Sequence, residues 1–311
     1  MLVYHSLSEF RAKSNTVVTV GTFDGVHVGH RKILSMLKET ALACKGEVVL
    51  LTFHPHPRKI LFPDQPGPGL LNTISEKISL LKGLGVDHLV IQPFTKEFSQ
   101  LEYDDFIREI LVKQLKVHTL VIGYDHQFGR GRRGTISSLR ELAAELHFNV
   151  IEIPEQDINH AAVSSTRIRK ALESGRVADA FGLLGYHYSL SGKVVHGKKL
   201  GRQLGYPTAN IQPDDPDKLV PAIGIYAVRV MYKGTLFGGM MSIGTRPTFD
   251  DGEISIEVNL FDLEEELYGE TLTVHFLQRI RDELKFDNVN DLITRIAQDK
   301  AESLRILEAG K

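Results

Sequence analysis

The chain contains a single cysteine, Cys44, so an intramolecular disulfide and a cysteine-rich zinc site are both excluded. No apolar run approaches the roughly 18 residues that a membrane-spanning helix needs. The first residues lack the basic start and apolar stretch of a secretion signal. The formal net charge of −2 argues against a protein that coats a polyanion. These absences lead us to expect a cytoplasmic protein that binds neither membranes nor nucleic acid.

The first half of the chain alternates short Val/Ile/Leu-rich runs with stretches of helical periodicity. This alternation predicts a parallel sheet with helices on both faces. We expect strands at Thr16–Val20, Glu47–Phe53, His88–Ile91, Thr119–Ile122 and Asn149–Ile153, and helices at His30–Ala43, Ser75–Leu84, Tyr103–Leu115 and Ile136–Leu146.

The second half has a different pattern, in which strand-like runs follow one another with only Gly, Asp and Pro turns between them. Such a pattern predicts a small antiparallel barrel or sandwich, closed by a helix that starts near Asn288 and shows an apolar face at Val289, Leu292, Ile293, Ile296, Leu304 and Leu307. For 311 residues, two domains are expected, and we place them at 1–184 and 185–311. The predicted strands are Tyr186–Val195, Gly224–Tyr232, Thr235–Ile243, Ile254–Phe261 and Thr271–Leu277.

A first candidate site follows the first strand, where the stretch from Gly21 to His30 reads GTFDGVHVGH. Ligands bind at the carboxyl ends of strands in open α/β sheets, and a helix N-terminus offers unpaired N–H groups to a phosphate. His27 and His30 are three residues apart at that helix start, so both can face the same phosphates and stabilise charge that develops there. Two other interpretations stay open at this point: a zinc site, although no third ligand is near in sequence, and a plain turn.

The residues of this stretch resemble the nucleotidylyltransferase superfamily, whose His-x-Gly-His element binds ATP phosphates. Three further stretches narrow the resemblance to the bacterial bifunctional riboflavin kinase/FAD synthetases: 52–58 (TFHPHPR), 123–129 (GYDHQFG) and 164–169 (SSTRIR). The resemblance implies a Rossmann-like α/β nucleotidylyltransferase domain. It assigns ATP and phosphate contacts to Gly21, Phe23, Asp24, Gly29, Ser165, Thr166 and Arg167, catalysis to His27 and His30, and flavin contacts to His56, Asp125 and Phe128.

The stretch from Gly129 to Gly134 also satisfies Gly-x-Gly-x-x-Gly, and Glu152 follows at roughly the spacing of a dinucleotide site. However, several residues separate the preceding strand from the first glycine, whereas a true dinucleotide turn is tight. We therefore interpret this arginine-rich segment as a basic loop near phosphates or a solvated turn.

A second candidate site lies in the Gly-rich segment from Gly192 to Asn210. The chain has no Walker loop, so phosphates would be held by glycines, backbone N–H groups and the basic pair Lys198 and Lys199. Thr208 and Asn210 offer oxygen atoms to a hard cation such as magnesium. A Gly-rich hairpin loop without a ligand is the alternative that the residues alone leave open.

The segment resembles the riboflavin kinase motif Gly-Arg-x-Leu-Gly-x-Pro-Thr-Ala-Asn, and the stretches 242–249, 256–262 and 280–286 resemble motifs that follow it in the same family. The resemblance implies a β-barrel riboflavin kinase domain. It makes Thr208 and Asn210 the magnesium and ATP residues and Glu257 the general base on the ribityl 5′-hydroxyl. Gly197 and Lys198 are then phosphate contacts, and Arg281 helps to enclose the flavin.

Two residues depart from the family pattern, since Ser242 replaces a usual Asn and Asn259 a usual His. Neither is the base or a magnesium residue, so we expect kinase activity with an altered rate or flavin affinity. The expected function is phosphorylation of riboflavin to FMN and adenylylation of FMN to FAD. Mg²⁺ is the expected cofactor, riboflavin, FMN and ATP are the expected substrates, and FMN and FAD are the expected flavin products. The alternatives are an enzyme in which only the FMN adenylyltransferase is active and a catalytically silent flavin-binding protein. We expect a monomer or a weak homo-oligomer.

Overall fold

A computed structural model describes residues 1–11, 15–65, 67–123, 129–132, 134–154, 163–197, 200–245 and 254–309. The chain divides into two compact units: the first comprises 1–68 and 74–164, and the second comprises 69–73 and 165–311. Within the described residues, no helix is both long and apolar enough to cross a membrane.

The first unit is built on a six-stranded sheet of order β1-β4-β3-β2-β5-β6, and every neighbouring pair is parallel. The prediction of a parallel α/β sheet is therefore confirmed. The short edge strand β1 was not predicted, because three residues carry too little periodicity. The strands are β1 (Leu2–Tyr4), β2 (Thr16–Val20), β3 (Glu47–His54), β4 (His88–Pro93), β5 (Val117–Gly123) and β6 (Asn149–Ile153).

Both faces of this sheet are covered, which explains why its strands are continuous apolar runs instead of alternating ones. Successive side chains of a strand point to opposite faces. Accordingly, Val18 and Val20 of β2 lie in one buried cluster with Phe106 and Leu111, whereas Val17 lies in the other. The second cluster is closed by Leu34 and Leu37 of the first long helix.

The helices of the first unit largely match the predicted positions. The segment predicted as one helix at 103–115 is a short α-helix that continues as a π-helix. The helices are α1 (Val28–Cys44), α2 (Pro57–Leu61), α3 (Ile74–Lys82), α4 (Lys96–Ser99), α5 (Tyr103–Asp105) with its π continuation (Phe106–Gln114), and α6 (Ile136–Glu145).

The second unit is a closed barrel of order β10-β11-β8-β7-β12-β9 with antiparallel neighbours. The predicted antiparallel barrel is confirmed. Strand β8 was missed because its five residues follow the Gly-rich segment without an apolar run. The strands are β7 (Ser189–Val195), β8 (Ala209–Pro213), β9 (Gly224–Tyr232), β10 (Thr235–Thr245), β11 (Ile254–Leu260) and β12 (Thr271–Arg281).

The helices in the described part of the second unit are α7 (Ser165–Glu173), α8 (Val177–Leu184), the short α9 (Leu200–Gln203) and the closing helix α10 (Val289–Ala309). The first two pack with the barrel unit, and the Ala222 N–H donates to the carbonyl of Leu172 at 3.0 Å. The compact units thus change over at residue 165, while the functional division at 184 stays a prediction.

The closing helix α10 starts where it was predicted, and part of the predicted apolar face packs on the barrel: Leu307 is buried in a cluster with Met240 and Phe261, and Ile296 packs against that cluster. Val289 and Leu304 are 58% and 41% exposed. The side chains that α10 buries are Asp299, Ser303 and Leu307, four residues apart and therefore on one helix face. Asp299 on this face pairs with Arg281 at the end of β12.

Candidate active sites

The turn between β2 and α1 has an unusual backbone. Phe23 has φ of 45°, Gly25 has 90° and Val26 has 35°. A positive φ is a genuine outlier for a β-branched residue, and such conformations persist only where surrounding contacts over-determine them. The turn is in fact buried, with Phe23 3% and Asp24 2% exposed. The turn therefore has a fixed shape set by contacts beneath it.

His27 is the N-cap of α1, and its Nδ1 accepts a hydrogen bond from the His30 backbone N–H at 3.3 Å. A neutral imidazole that accepts at Nδ1 carries its proton on Nε2. The His27 and His30 rings stack with centroids 3.6 Å apart and 13° between planes, and the Phe23 ring lies 4.6 Å from that of His30. The predicted histidine pair is thus brought together at a helix start, with a defined tautomer for His27.

Both histidines are neutral at pH 7. Burial lowers the pKa of His27 from 6.5 to about 4, although the carboxylate of Asp24 acts in the opposite direction. Burial also lowers the pKa of His30 well below its usual value, helped by His27 and the ammonium of Lys77. A neutral imidazole is a single N–H donor, and an incoming anion favours its protonation. The pair is therefore suited to respond to phosphate charge.

The remaining residues predicted for this first site lie on several different elements. Gly21 and Gly29 flank the turn, and the Gly21 N–H donates to the Leu51 carbonyl at 3.0 Å. His56 is the N-cap of α2 and accepts at Nδ1 from the Arg58 N–H. Asp125 and Phe128 lie outside the described residues. Ser165, Thr166 and Arg167 form the first turn of α7 in the second unit.

Two alternatives for the first unit lose support in the structure. Glu152, which a dinucleotide site would use for the ribose, instead pairs with Arg140 of α6 at 2.9 Å. Arg130–Arg132 form a 3₁₀ turn, with a left-handed Gly131, instead of the start of a helix. A zinc site would need at least three ligands, and the described part of the chain contains no group of three or more His, Cys, Asp or Glu side chains placed to hold a metal ion.

The second site centres on Glu257 of β11. Thr208, just before β8, donates its hydroxyl to Glu257 Oε2 at 2.8 Å. Asn210 of β8 and Ser242 of β10 are the register partners of Glu257 on its two sides. The predicted base and both predicted magnesium residues therefore meet at one place on the barrel wall.

Gly197 lies against the Asn210 amide so closely that a side chain there would collide with it. A Cβ on Gly197 would fall 2.1 Å from Asn210 Nδ2 and 2.8 Å from Oδ1. Gly201 makes a similar approach to the Tyr206 carbonyl, at 2.4 Å. Glycines let the backbone come close to these groups. Lys198, the neighbouring predicted phosphate contact, lies outside the described residues.

Asn259 has a definite role that sequence reasoning missed. It is 6% exposed, and its Nδ2 donates to the carbonyl of Pro207 at 2.6 Å. Pro207 precedes Thr208 directly, so this bond fixes the backbone that carries the Thr208 hydroxyl. The departure at 259 thus falls on a contact that supports the site.

Arg281 is held by the closing helix. Its guanidinium donates to both carboxylate oxygens of Asp299, at 2.6–3.1 Å, and Asp299 also pairs with Arg295 at 3.2 Å. The Asp299 side chain is 3% exposed, so these two arginines are the partners of a buried carboxylate. The flavin contact of Arg281 stays a prediction, whereas the structure shows that its guanidinium binds Asp299.

These geometries define the class of protein. One unit has a neutral histidine pair at a helix start beyond a parallel strand, and the other has a carboxylate, a hydroxyl and an amide grouped on a closed barrel. The chain is an enzyme built from two units.

Comparison with known proteins gives the particular family. Residues 9–167 match the model of the FAD synthetase family, and 184–307 match that of riboflavin kinase. Bifunctional riboflavin kinase/FMN adenylyltransferases are similar over nearly the whole chain. The Bacillus subtilis protein is 36% identical over 97% of this chain and 95% of its own length, and the Listeria monocytogenes protein is 37% identical over 93% and 91%. The chain belongs to the family of bifunctional riboflavin kinase/FMN adenylyltransferases.

Among solved structures, one described as a macrolide-efflux protein from Streptococcus pneumoniae has a TM-score of 0.88 to this chain. It is 32% identical and covers 97% of this chain and 98% of its own. That description is of the pneumococcal protein. The structural similarity covers both units of this chain.

Proposed function

We propose that the two reactions of this bifunctional enzyme are divided between the units as the residues suggest. In the barrel unit, the riboflavin 5′-hydroxyl attacks the γ-phosphorus of ATP, which gives FMN and ADP. In the first unit, a phosphate oxygen of FMN attacks the α-phosphorus of a second ATP, which gives FAD and pyrophosphate. The observation that carries the first assignment is the hydrogen bond between Thr208 and Glu257.

In the kinase reaction, Glu257 accepts the proton of the attacking hydroxyl. Phosphoryl transfer depends mainly on positioning and charge neutralisation, and one carboxylate that orients the nucleophile suffices as base. The Thr208 hydroxyl bonded to Oε2 fixes the rotamer of Glu257, and the register pairing with Asn210 sets its height on the barrel.

The residues at this place fit a magnesium ion. Mg²⁺ takes oxygen ligands and is usually held by one or two protein groups plus substrate phosphates. Thr208 Oγ1 and Asn210 Oδ1 are such oxygens, and the close Gly197 backbone leaves space beside the amide where a Cβ would otherwise sit. When bound with ATP, the ion would neutralise charge on the phosphates. Gly197 and Lys198 complete the proposed phosphate contacts.

In the adenylyl transfer, His27 and His30 stabilise the charge that builds up on the phosphates. His27 directs Nε2–H away from the helix because Nδ1 is occupied by the His30 N–H. Gly21, Phe23, Asp24 and Gly29 shape the turn that receives the triphosphate. No covalent intermediate is needed, because the FMN phosphate itself is the nucleophile.

The other proposed contacts complete the two sites. Ser165, Thr166 and Arg167 bind phosphate, with support from their place in the first turn of a helix. Flavin contacts are proposed for His56, Asp125, Phe128 and Arg281. The near-neutral charge and single cysteine support a cytoplasmic enzyme, and we propose a monomer or weak homo-oligomer, which size-exclusion chromatography with light scattering tests directly.

Chromatography of flavins after incubation with ATP and Mg²⁺ tests the division of labour. With riboflavin, the wild-type chain is expected to form FMN and then FAD. Glu257→Gln is expected to lower FMN formation by at least 10²-fold and leave FAD formation from added FMN unchanged. His30→Asn is expected to lower FAD formation from added FMN and to leave FMN formation from riboflavin unchanged.

Two exposed residues serve as matched controls: Glu265→Gln for the base and His5→Asn for the histidine. Loss of both activities in Glu257→Gln would contradict separate sites. Conversion of FMN without any conversion of riboflavin by the wild-type chain would show a single active site. No conversion of either flavin would favour a silent flavin-binding protein.

A further inference from the structure

Lys77 of α3 is a buried cation beneath the turn that leads into the histidine pair. Its side chain is 5% exposed, although lysine is almost never fully buried unless it is paired. Its Nζ donates to the carbonyl of Thr22 at 2.7 Å. The same carbonyl accepts the hydroxyl of Thr52 from β3 at 3.1 Å. Two donors from two different elements therefore converge on one backbone oxygen at the start of the turn.

The carbonyl of Thr22 sits immediately before the strained part of the turn. Phe23, Gly25 and Val26 all have positive φ, and His27 follows at once as the helix cap. A backbone of this kind needs external contacts to hold it. The Lys77 and Thr52 bonds supply such contacts at the residue where the left-handed segment begins.

Lys77 also interacts electrostatically with a buried carboxylate of the same turn, that of Asp24. Asp24 is 2% exposed. Burial lowers the pKa of the Lys77 ammonium, and the nearby carboxylate of Asp24 acts in the opposite direction and raises it. The ammonium in turn disfavours a proton on His30. A fixed positive charge below the turn therefore adds to the field that an ATP phosphate meets.

From this geometry we propose that Lys77 is a positioning residue for adenylyl transfer: its ammonium holds the Thr22 carbonyl and thereby fixes the turn that presents His27 and His30 to the ATP triphosphate. The proposal rests on the assignment of the first unit to adenylyl transfer. Lys77 donates to the backbone and does not itself touch substrate, so its effect is exerted through the shape of the turn and its charge.

The test is Lys77→Met, which keeps the aliphatic stem and removes the ammonium. We expect KM for ATP in FAD formation from FMN to rise about tenfold, which corresponds to about 1.4 kcal/mol of binding free energy, with kcat also reduced. FMN formation from riboflavin in the same chain is expected to stay within twofold. Lys82→Met, an exposed lysine on the same helix, is the matched control and is expected to change neither activity.

A purely structural role would give a different pattern, because a smaller folded fraction lowers the apparent kcat and leaves KM for ATP unchanged. Lys77→Met with unchanged KM therefore overturns the proposal. Should that variant fail to fold, Thr52→Val removes the second donor to the same carbonyl and is expected to raise KM for ATP severalfold; an unchanged KM there also overturns it. Failure of the wild-type chain to make FAD would instead refute the assignment of the first unit.

Discussion

The close approach of Gly197 to Asn210 gives a sharp prediction for the kinase site. In Gly197→Ala, the new Cβ would lie 2.1 Å from Asn210 Nδ2, whereas an ordinary contact begins near 3.4 Å. The amide must therefore move by about 1.3 Å. Asn210 is buried in β8, so the movement either strains the barrel wall or carries the amide oxygen away from the site.

The expected magnitude follows from that displacement. Overpacking of this size costs about 1–3 kcal/mol, and a misplacement of about 1 Å at a reacting centre lowers rates by up to roughly 10²-fold. We expect kcat/KM for riboflavin phosphorylation to fall between about tenfold and 10²-fold. FAD formation from FMN should be unchanged. Gly182→Ala is the control, because no atom lies within 4 Å of its added Cβ.

A double-mutant cycle tests the cause. If Gly197→Ala acts by displacing the Asn210 amide, it should have little further effect once Asn210→Ala has removed that amide. Both single variants and the double variant are compared by steady-state FMN formation at saturating ATP. Losses that multiply in the double variant would refute the reasoning, since they would show that Gly197 acts on something other than Asn210.

Three other predictions follow from the contacts described. Because the folded pKa of His27 is about 4 against 6.5 when unfolded, the stability that its neutral form provides is present above pH 6.5 and is lost as pH falls towards 4. His27 alone should account for about 2 kcal/mol of the stability that the first unit loses between pH 7.5 and pH 5. Urea unfolding of His27→Gln should therefore show a loss smaller by about that amount. Asp299→Asn leaves Arg281 without its buried partner, so thermal unfolding should show a loss of about 3–5 kcal/mol in the second unit. Asn259→Leu removes the bond to Pro207 and should lower riboflavin phosphorylation about tenfold, whereas unchanged kinetics would show that this bond does not support the site.

Much of the fold was predictable from the sequence. The strands of the parallel sheet are buried on both faces and are therefore apolar runs, and most strands of the barrel follow one another along the chain with only turns between them. Runs such as Val17, Val18 and Val20 are continuous and apolar, so the central strands of the sheet fall within two residues of the predicted bounds. The failures have local causes. Strand β8 carries Asn210 and follows glycines, and the buried face of α10 contains Asp299 and Ser303 beside Leu307, so apolar periodicity alone did not define that face.

The candidate site residues were predicted from motif resemblance, whereas their hydrogen-bond and ion-pair partners could not be predicted from the sequence. Nothing in the sequence links Asn259 to Pro207, which are 52 positions apart, or Arg281 to Asp299. Lys77 did leave a signal, since Ile74, Ile78 and Leu81 place it on the apolar face of α3. A lysine at such a position predicts a buried cation, although its partner emerges only from the tertiary structure.

The strand order of the barrel sets a sequence of events during synthesis. β12 pairs with both β7 and β9. Until residues 271–281 have left the ribosome, the barrel strands can form only an open sheet, with β7 and β9 as its unpaired edges. All six strands of the parallel sheet have by then been translated, and domains generally fold as units, with the N-terminal one first. A chain arrested before β12 would therefore complete its parallel sheet and lack a closed barrel, and its unpaired β7 and β9 edges would be exposed to aggregation.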